Sequence, residues 1–437
     1  MSFGDALPRM VTAPPGPRSR ALSRDLHELE APGVNTLAAG AGGDPPPSIL
    51  WEEALGANVR DVDGNVYVDL TSGFGVAAVG HRHPRVVAAV REQAGRLLHA
   101  LGDVHAHPLR VELARRLAGL APVDEPRVFF ATSGAEAVEI ALKTALGATG
   151  RPGILAFEPS YHGTTLGALA VTSREEFRAP FAAHLHPHVR RLPFACDPGL
   201  VDAALADGEG GEEAGGGIGC LLLEPVVGRE GVLVPPEGWL AAVAEICRRR
   251  SVLLLADEIF TGFGRTGRLF AVDHEGVRPD VLCCGKALGG GLPIAAVIAR
   301  RPLFQCWETA GEARHTATFL ANPLACAAAL ATLDILLEGD LPARAARLGR
   351  DLARRLAGWP SRFAAVEAVR GRGLLQGVEL SSGEAAKRFV GEAWSRGVLL
   401  LAGGPEGRVA QIVPPLSIRE DQLAVAAEIL ERALQST

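Results

Sequence analysis

The sequence predicts an α/β protein built on an open, mainly parallel sheet, with a smaller α+β unit towards its carboxyl end. Three observations carry that reading. Five short apolar runs without polar alternation, Val128–Ala131, Gly153–Phe157, Cys220–Glu224, Val252–Asp257 and Val281–Cys284, suit strands covered on both faces. Amphipathic stretches such as Ala135–Leu146 and Trp239–Arg249 separate them, which is the strand–helix alternation of a sheet flanked by helices. After Ala321 the pattern turns to long alanine- and arginine-rich helices (Pro323–Leu337, Leu341–Ala357), short strands near Ala365–Val369 and Gly373–Glu379, and a terminal helix at Arg419–Gln435.

Taken in order, the Pro-rich start, Met1 to Pro17, reads as a mobile arm. Residues Ile49–Leu70, with the turn signal Asp61-Val-Asp63-Gly64-Asn65, form a hairpin expected to pack on the smaller unit. This divides the chain into 1–70 (arm and hairpin), 71–322 (large domain) and 323–437 (small domain). Asp207–Gly219 is too glycine-rich to pack and reads as a surface loop. A chain of 437 residues supports a large core, and its net charge of −6 offers no basic footprint for nucleic acid. Seven cysteines without CxxC spacing suit free thiols in a reducing compartment, with Cys283 and Cys284 packing as small apolar residues. Neither a signal peptide nor a bilayer-spanning run is visible, so the expectation is a cytoplasmic protein without a membrane or metal partner.

Lysine is nearly absent. Of 44 basic residues only Lys143, Lys286 and Lys387 are lysine. Arginine serves surface ion pairing equally well, but it stays protonated and cannot act as an amine nucleophile. Lys286, lodged between an apolar run and the glycines Gly289, Gly290 and Gly291, therefore suggests imine chemistry with a carbonyl compound. Around it the sequence places four ambiguous elements. Asp257 closes a buried strand, where a carboxylate can pair with a ring nitrogen and hold it protonated, or cap a turn or pair with Arg265. Thr132-Ser133-Gly134-Ala135-Glu136 follows a strand and opens a helix, as a phosphate site does; Ser133 and Glu136 also read as a capping box. Tyr161, one of two tyrosines, stands at a strand's end where it can stack on a flat ring, and His162 beside it reads as a loop histidine. Thr316 and Thr318 supply hydroxyls on a tight turn. The glycine loop Gly262–Gly267 resembles a nucleotide loop but lacks the lysine of a P-loop. Together these are the contacts that pyridoxal phosphate needs.

From about Pro14 to Leu434 the chain resembles the class III, fold-type I, pyridoxal-phosphate-dependent aminotransferases, the group of the acetylornithine, ornithine and 4-aminobutyrate enzymes. The resemblance rests on Asp63-Gly64, Gly80-His81-Arg82-His83-Pro84, Ser133-Gly134-Ala135-Glu136, Tyr161-His162-Gly163, Glu224-Pro225, Asp257-Glu258-Ile259 through Gly267, Lys286, Thr318 and Pro414-Pro415-Leu416. It implies a central sheet of seven strands and a Schiff base between Lys286 and pyridoxal 5′-phosphate. It further implies Asp257 on the pyridinium nitrogen, Ile259 and Tyr161 on the two ring faces, and Ser133, Gly134 and Ala135 on the phosphate. Thr318 would reach the cofactor of a neighbouring subunit, so the resemblance implies a homodimer with shared sites; His162 and Glu224 take supporting roles. The implied activity is amino transfer between an amine or amino acid and a keto acid or aldehyde. A racemase or epimerase, an aminomutase or a decarboxylase is the alternative on the same fold.

Three departures bear on the substrate. Phe260 stands where many relatives carry Gln. Arg229 and Gln411 stand where the ornithine-type enzymes carry a Glu and the Arg that holds the substrate's α-carboxylate. Arg229, Gln411 and Phe74 are accordingly the candidate substrate contacts, with Arg229 expected to receive a carboxylate.

Overall fold

The computed structural model describes residues 3–31, 48–206 and 217–437. Its centre is a sheet of seven strands: β1 (Pro126–Ala131), β2 (Gly153–Glu158), β3 (Val189–Pro193), β4 (Ile218–Leu223), β5 (Leu253–Asp257), β6 (Val281–Cys284) and β7 (Ala295–Arg300). Their order across the sheet is β1-β7-β6-β5-β4-β2-β3. Neighbours from β6 through β3 run parallel, and β7 alone is reversed, pairing antiparallel with both β1 and β6. The fold class follows the sequence.

Successive side chains on these strands alternate between two apolar layers. Leu222, Leu255, Val281, Cys283 and Val297 pack with the helix Gly134–Thr149 on one face. Leu221, Leu223, Leu254, Leu282, Cys284 and Ile298 join Trp239, Leu240 and Val243 of the helix Trp239–Arg249 on the other. Burial on both faces explains why the strands are continuously apolar. It also fixes register, because a one-residue slip would exchange the two layers.

Two four-stranded sheets accompany the main one. In the first, Trp51–Leu55, Asn58–Asp61 and Val66–Asp69 form an antiparallel meander, and Val66–Asp69 pairs in parallel with Val398–Leu399. The hairpin thereby meets the chain's C-terminal part. The second comprises Val366–Arg372, Leu375–Leu380, Val409–Ile412 and Leu401–Gly403. The loop Gly262–Gly267 is a structural joint rather than a nucleotide loop. Arg265, 2% exposed, donates to the carbonyls of Leu374 (3.0 Å) and Pro414 (2.5 Å), and does not pair with Asp257.

The expected mobile arm is corrected by the structure. Arg9 exchanges both backbone hydrogen bonds with Val66 (2.9 and 2.8 Å), and Asn65 Oδ1 accepts from the N–H groups of Val11 and Thr12 (2.7 and 2.9 Å). The hairpin turn's short polar side chains supply the acceptors that hold the segment, a long-range match that proline content conceals. Of the expected loop Asp207–Gly219, residues 207–216 lie outside the described residues.

Glu258, fully buried beside Asp257, accepts from Thr261 Oγ1 and from the Val272 N–H (2.8 Å). Burial pushes its carboxyl up to about 7 from the ordinary 4.5. Between those two values the folded state holds a proton that the unfolded chain has released, so stability falls as pH rises through that window and levels off above about 7. Glu258→Gln is expected to remove this share, up to roughly 3 kcal/mol. Denaturation of the variant between pH 4.5 and 7 should be the flatter of the two.

Candidate active site

The functional candidates converge because they follow the carboxyl ends of parallel strands. β1 leads into the turn at Ser133, β2 into Tyr161 and His162, β4 into Glu224 and Arg229, β5 ends on Asp257, and β6 leads to Lys286. The site is thus assembled from five connections that are far apart in sequence.

Asp257, 4% exposed, accepts from the Ile259 N–H through Oδ1 (3.1 Å) and pairs with His162 Nδ1 through Oδ2 (2.7 Å). Burial alone would lower the His162 imidazole, but the hydrogen bond and charge of Asp257 outweigh it and raise the group. His162 Nε2 is buried without a hydrogen-bond partner among the described residues. Glu224 ties two loops together: Oε1 accepts from the Tyr161 N–H (3.0 Å) and Oε2 from the Gly228 N–H (2.9 Å). Burial lifts this carboxyl to about 7.

Ser133 caps the helix Gly134–Thr149 through a bond to the Glu136 N–H (3.2 Å), so capping and an open helix N-terminus coexist as the sequence allowed. The Tyr161–Gly163 loop lies directly against this turn. Gly163 sits at φ +125°, and a Cβ there would stand 2.7 Å from Ala135 Cβ, so only glycine permits the approach. Ile259 bridges the turn and the lysine loop: its Cγ2 lies 3.0 Å from where a Cβ on Gly134 would sit and 3.6 Å from one on Gly285.

Lys286 adopts φ +41°, a left-handed conformation that a side chain takes only under strain, as at many functional positions. Desolvation lowers its ammonium from 10.5 to about 8; Asp257 and Glu224 oppose that shift and Arg229 adds to it. Its Nζ rests 4.1 Å from the centre of the Phe260 ring, a cation–π contact. That ring occupies a slot between two backbone segments, since a Cβ on Gly228 would lie 2.0 Å from Phe260 Cδ1 and one on Gly75 2.7 Å from Cε2.

Arg229 is half-buried, and its guanidinium lies 4.3 Å from the centre of the Tyr161 ring and 5.5 Å from that of Phe177. Its neighbour Glu230, 2% exposed, is held by Arg174 Nε at 2.8 and 2.9 Å. No carboxylate forms an ion pair with Arg229 among the described residues. Phe177 had no signal in the sequence, because only the folded loop brings it to Tyr161.

One candidate lies at the rim of the site, next to Gly75, where a Cβ would stand 4.0 Å from Lys286 Cδ, and one stands apart. Phe74 is 56% exposed in the left-handed turn before Gly75. Thr318 is exposed and lies beside Gly102, among Leu98, Leu101 and Phe319, not with Lys286. Gln411 reaches the loop that carries Arg229, where its amide bonds to backbone carbonyls.

A desolvated amine, a strand-end acid backed by a histidine, and an open helix N-terminus against an aromatic loop form one constellation. The class-III aminotransferase family model matches residues 39–434. This chain belongs to the class-III aminotransferases. It is 42% identical over 382 residues to an acetylornithine aminotransferase of Methanopyrus kandleri, covering 87% of this chain and 93% of that one. Among solved structures it is similar to an ornithine aminotransferase of Toxoplasma gondii (TM-score 0.82, 31% identity, 94% of both chains). It is also similar to a pyridoxal-phosphate-bound amine transaminase of an uncultivated Pseudomonas species (TM-score 0.84, 30% identity, 93% of this chain and 99% of that one). Enzymes of this family are pyridoxal-phosphate-dependent transaminases, and this chain is one of them. Nothing in these similarities supports racemase, aminomutase or decarboxylase activity. Among the described residues no helix is long and apolar enough to cross a membrane.

The residues present fit the cofactor. The helix Gly134–Thr149 opens at Ser133, Asp257 is held by His162, and burial lowers the Lys286 ammonium. Acetylation of the cofactor-free aminotransferase with acetic anhydride, quantified on Lys286 by peptide mass, should be half-maximal near pH 8. A midpoint near the ordinary 10.5 would show that its amine is not desolvated.

Proposed function

We propose that this aminotransferase moves an amino group between a carboxylate-bearing amine or amino acid and a small keto acid or aldehyde, with Lys286 as its catalytic amine. The observation that carries this reading is the desolvation of Lys286 within the electrostatic reach of Asp257 and Glu224. Ser133, Gly134 and Ala135 would hold the cofactor's phosphate at the helix N-terminus. Ile259 and Tyr161 would flank its ring, and Asp257 would pair with its ring nitrogen. When bound, pyridoxal phosphate supplies an electron sink for the substrate carbon that loses its proton.

The chain's residues do the rest. His162 Nδ1 holds the Asp257 carboxyl in place at 2.7 Å, so a protonated ring nitrogen would have a fixed partner. Lys286 Nζ, nearly half deprotonated around pH 8, takes the proton from the substrate carbon and returns it nearby. Phe260 and the buried strand ends exclude water from that transfer. Arg229, without an ion pair among the described residues, receives the substrate's carboxylate, with Tyr161 and Phe177 shielding it from solvent. Phe74 forms an outer wall of the substrate pocket.

The partner is a second copy of the chain. Leu98 (59%), Leu101 (59%), Val104 (65%) and Phe319 (63%) are exposed in two segments joined by the Asn322 Nδ2 bond to the Leu98 carbonyl (3.1 Å). An apolar patch of this kind favours burial between subunits. Thr318 lies within it and would reach the neighbour's cofactor phosphate. All seven cysteines are free, and we assign the enzyme to the cytoplasm.

With one amino acid donor and no acceptor, the loaded enzyme should release one equivalent of carbonyl product per site and then stop. Continued turnover to the opposite enantiomer would support racemisation instead. In the same assay Arg229→Ala should raise the concentration of donor needed for half-maximal rate by at least tenfold, equivalent to about 1.4 kcal/mol. An unchanged value would remove Arg229 from the substrate site.

A further inference from the structure

Gln411 lies on the strand Val409–Ile412, opposite Gly377 on one side and Leu401 on the other. Its position, reaching towards the Arg229 loop, invites the view that it binds substrate directly. Its hydrogen bonds argue otherwise. Nε2 donates to the Gly228 carbonyl (3.2 Å) and to the Arg229 carbonyl (2.8 Å). Both partners are acceptors, so the NH2 end of the amide must face them, and both of its protons are then engaged. Only Oε1 remains, and an acceptor repels a carboxylate.

The same loop is gripped at three further points. The Gly404 N–H donates to the Arg229 carbonyl (3.0 Å), Arg370 Nε to the Gly231 carbonyl (2.9 Å), and Arg174 Nε to the Glu230 carboxylate (2.8 and 2.9 Å). Arg229 therefore has a backbone pinned by the C-terminal sheet and, among the described residues, a side chain anchored by ring contacts. Among the described residues Gln411 is the one side chain that engages the carbonyls of both Gly228 and Arg229. A neutral amide does this without placing a second cation beside the guanidinium, which an arginine or lysine would do.

We propose that Gln411 is a positioning residue: by fixing the Gly228 and Arg229 carbonyls from the C-terminal sheet, it sets where the Arg229 guanidinium stands to receive a substrate carboxylate. Gly228 also backs the Phe260 ring on which Lys286 rests, so one amide registers both the carboxylate site and the floor beneath the amine. This inference rests on the assignment of Arg229 to the substrate carboxylate. It extends that assignment by making the C-terminal sheet part of substrate selection.

The test uses the pyridoxal-phosphate-loaded enzyme and glutarate, a dicarboxylate with neither amine nor carbonyl, with binding measured by calorimetry per loaded site. Arg229→Ala should weaken glutarate binding at least tenfold. Gln411→Leu, which keeps bulk and removes the donors, should weaken it about fivefold to tenfold. The double variant should be no weaker than Arg229→Ala alone, because the two changes act on one interaction. Should Gln411→Leu not accumulate as folded protein, Gln411→Met, of similar length, takes its place. A Gln411 variant that binds as wild type while Arg229→Ala is impaired overturns the inference and leaves the Arg229 assignment standing. Losses that add in the double variant also overturn it, since Gln411 would then touch the ligand itself. Wild-type binding by Arg229→Ala removes the assignment beneath it.

Discussion

Everything at this site depends on removing one ammonium group from water without giving it a full counter-ion. Asp257 and Glu224 both favour the charged form of Lys286, yet desolvation prevails and lowers it to about 8. A direct ion pair would have stabilised the charged form and silenced the amine. Instead Asp257 is bonded to His162 and to its own strand end, Glu224 to two backbone N–H groups, and Lys286 is left against the face of Phe260. The acids are near enough to shape the field and too engaged to hold the lysine.

That balance is maintained by loops that depend on one another. Glu224 joins the Tyr161 and Gly228 segments, Gly163 lets the Tyr161 loop rest on Ala135, and Ile259 spans the Ser133–Ala135 turn and the lysine loop. Each of these loops leaves a different strand of a sheet whose register is fixed by burial on both faces. A rigid sheet edge thus sets distances between residues more than a hundred positions apart. Arg229 belongs to the same arrangement, but its position also depends on the C-terminal sheet.

Much of the large sheet was legible because its central strands are buried twice over and so are uniformly apolar. β3 escaped notice because Val189–Pro193 carries Arg190 and Arg191, as an edge strand can. β7, Ala295–Arg300, is rich in alanine and has no strand signature of its own. At the site, residue type gave the chemistry: lysine among arginines, an acid ending a strand, a hydroxyl turn before a helix. What residue type could not give was pairing. Whether Asp257 faced His162 or Arg265, whether Gln411 faced ligand or backbone, and that Phe177 would meet Arg229 are decided by loop geometry across long separations. The N-terminal segment failed for the same reason, since its partners Asn65 and Val66 lie more than fifty positions away.

The central claim is that Lys286, and neither of the other two lysines, carries the cofactor opposite Asp257. Borohydride reduction of the loaded enzyme followed by peptide mass mapping tests it directly. The account predicts one pyridoxyl phosphate adduct per chain, on Lys286, and its loss in Lys286→Ala. An adduct confined to Lys143 or Lys387, or a protein that takes up no cofactor at all, would contradict it.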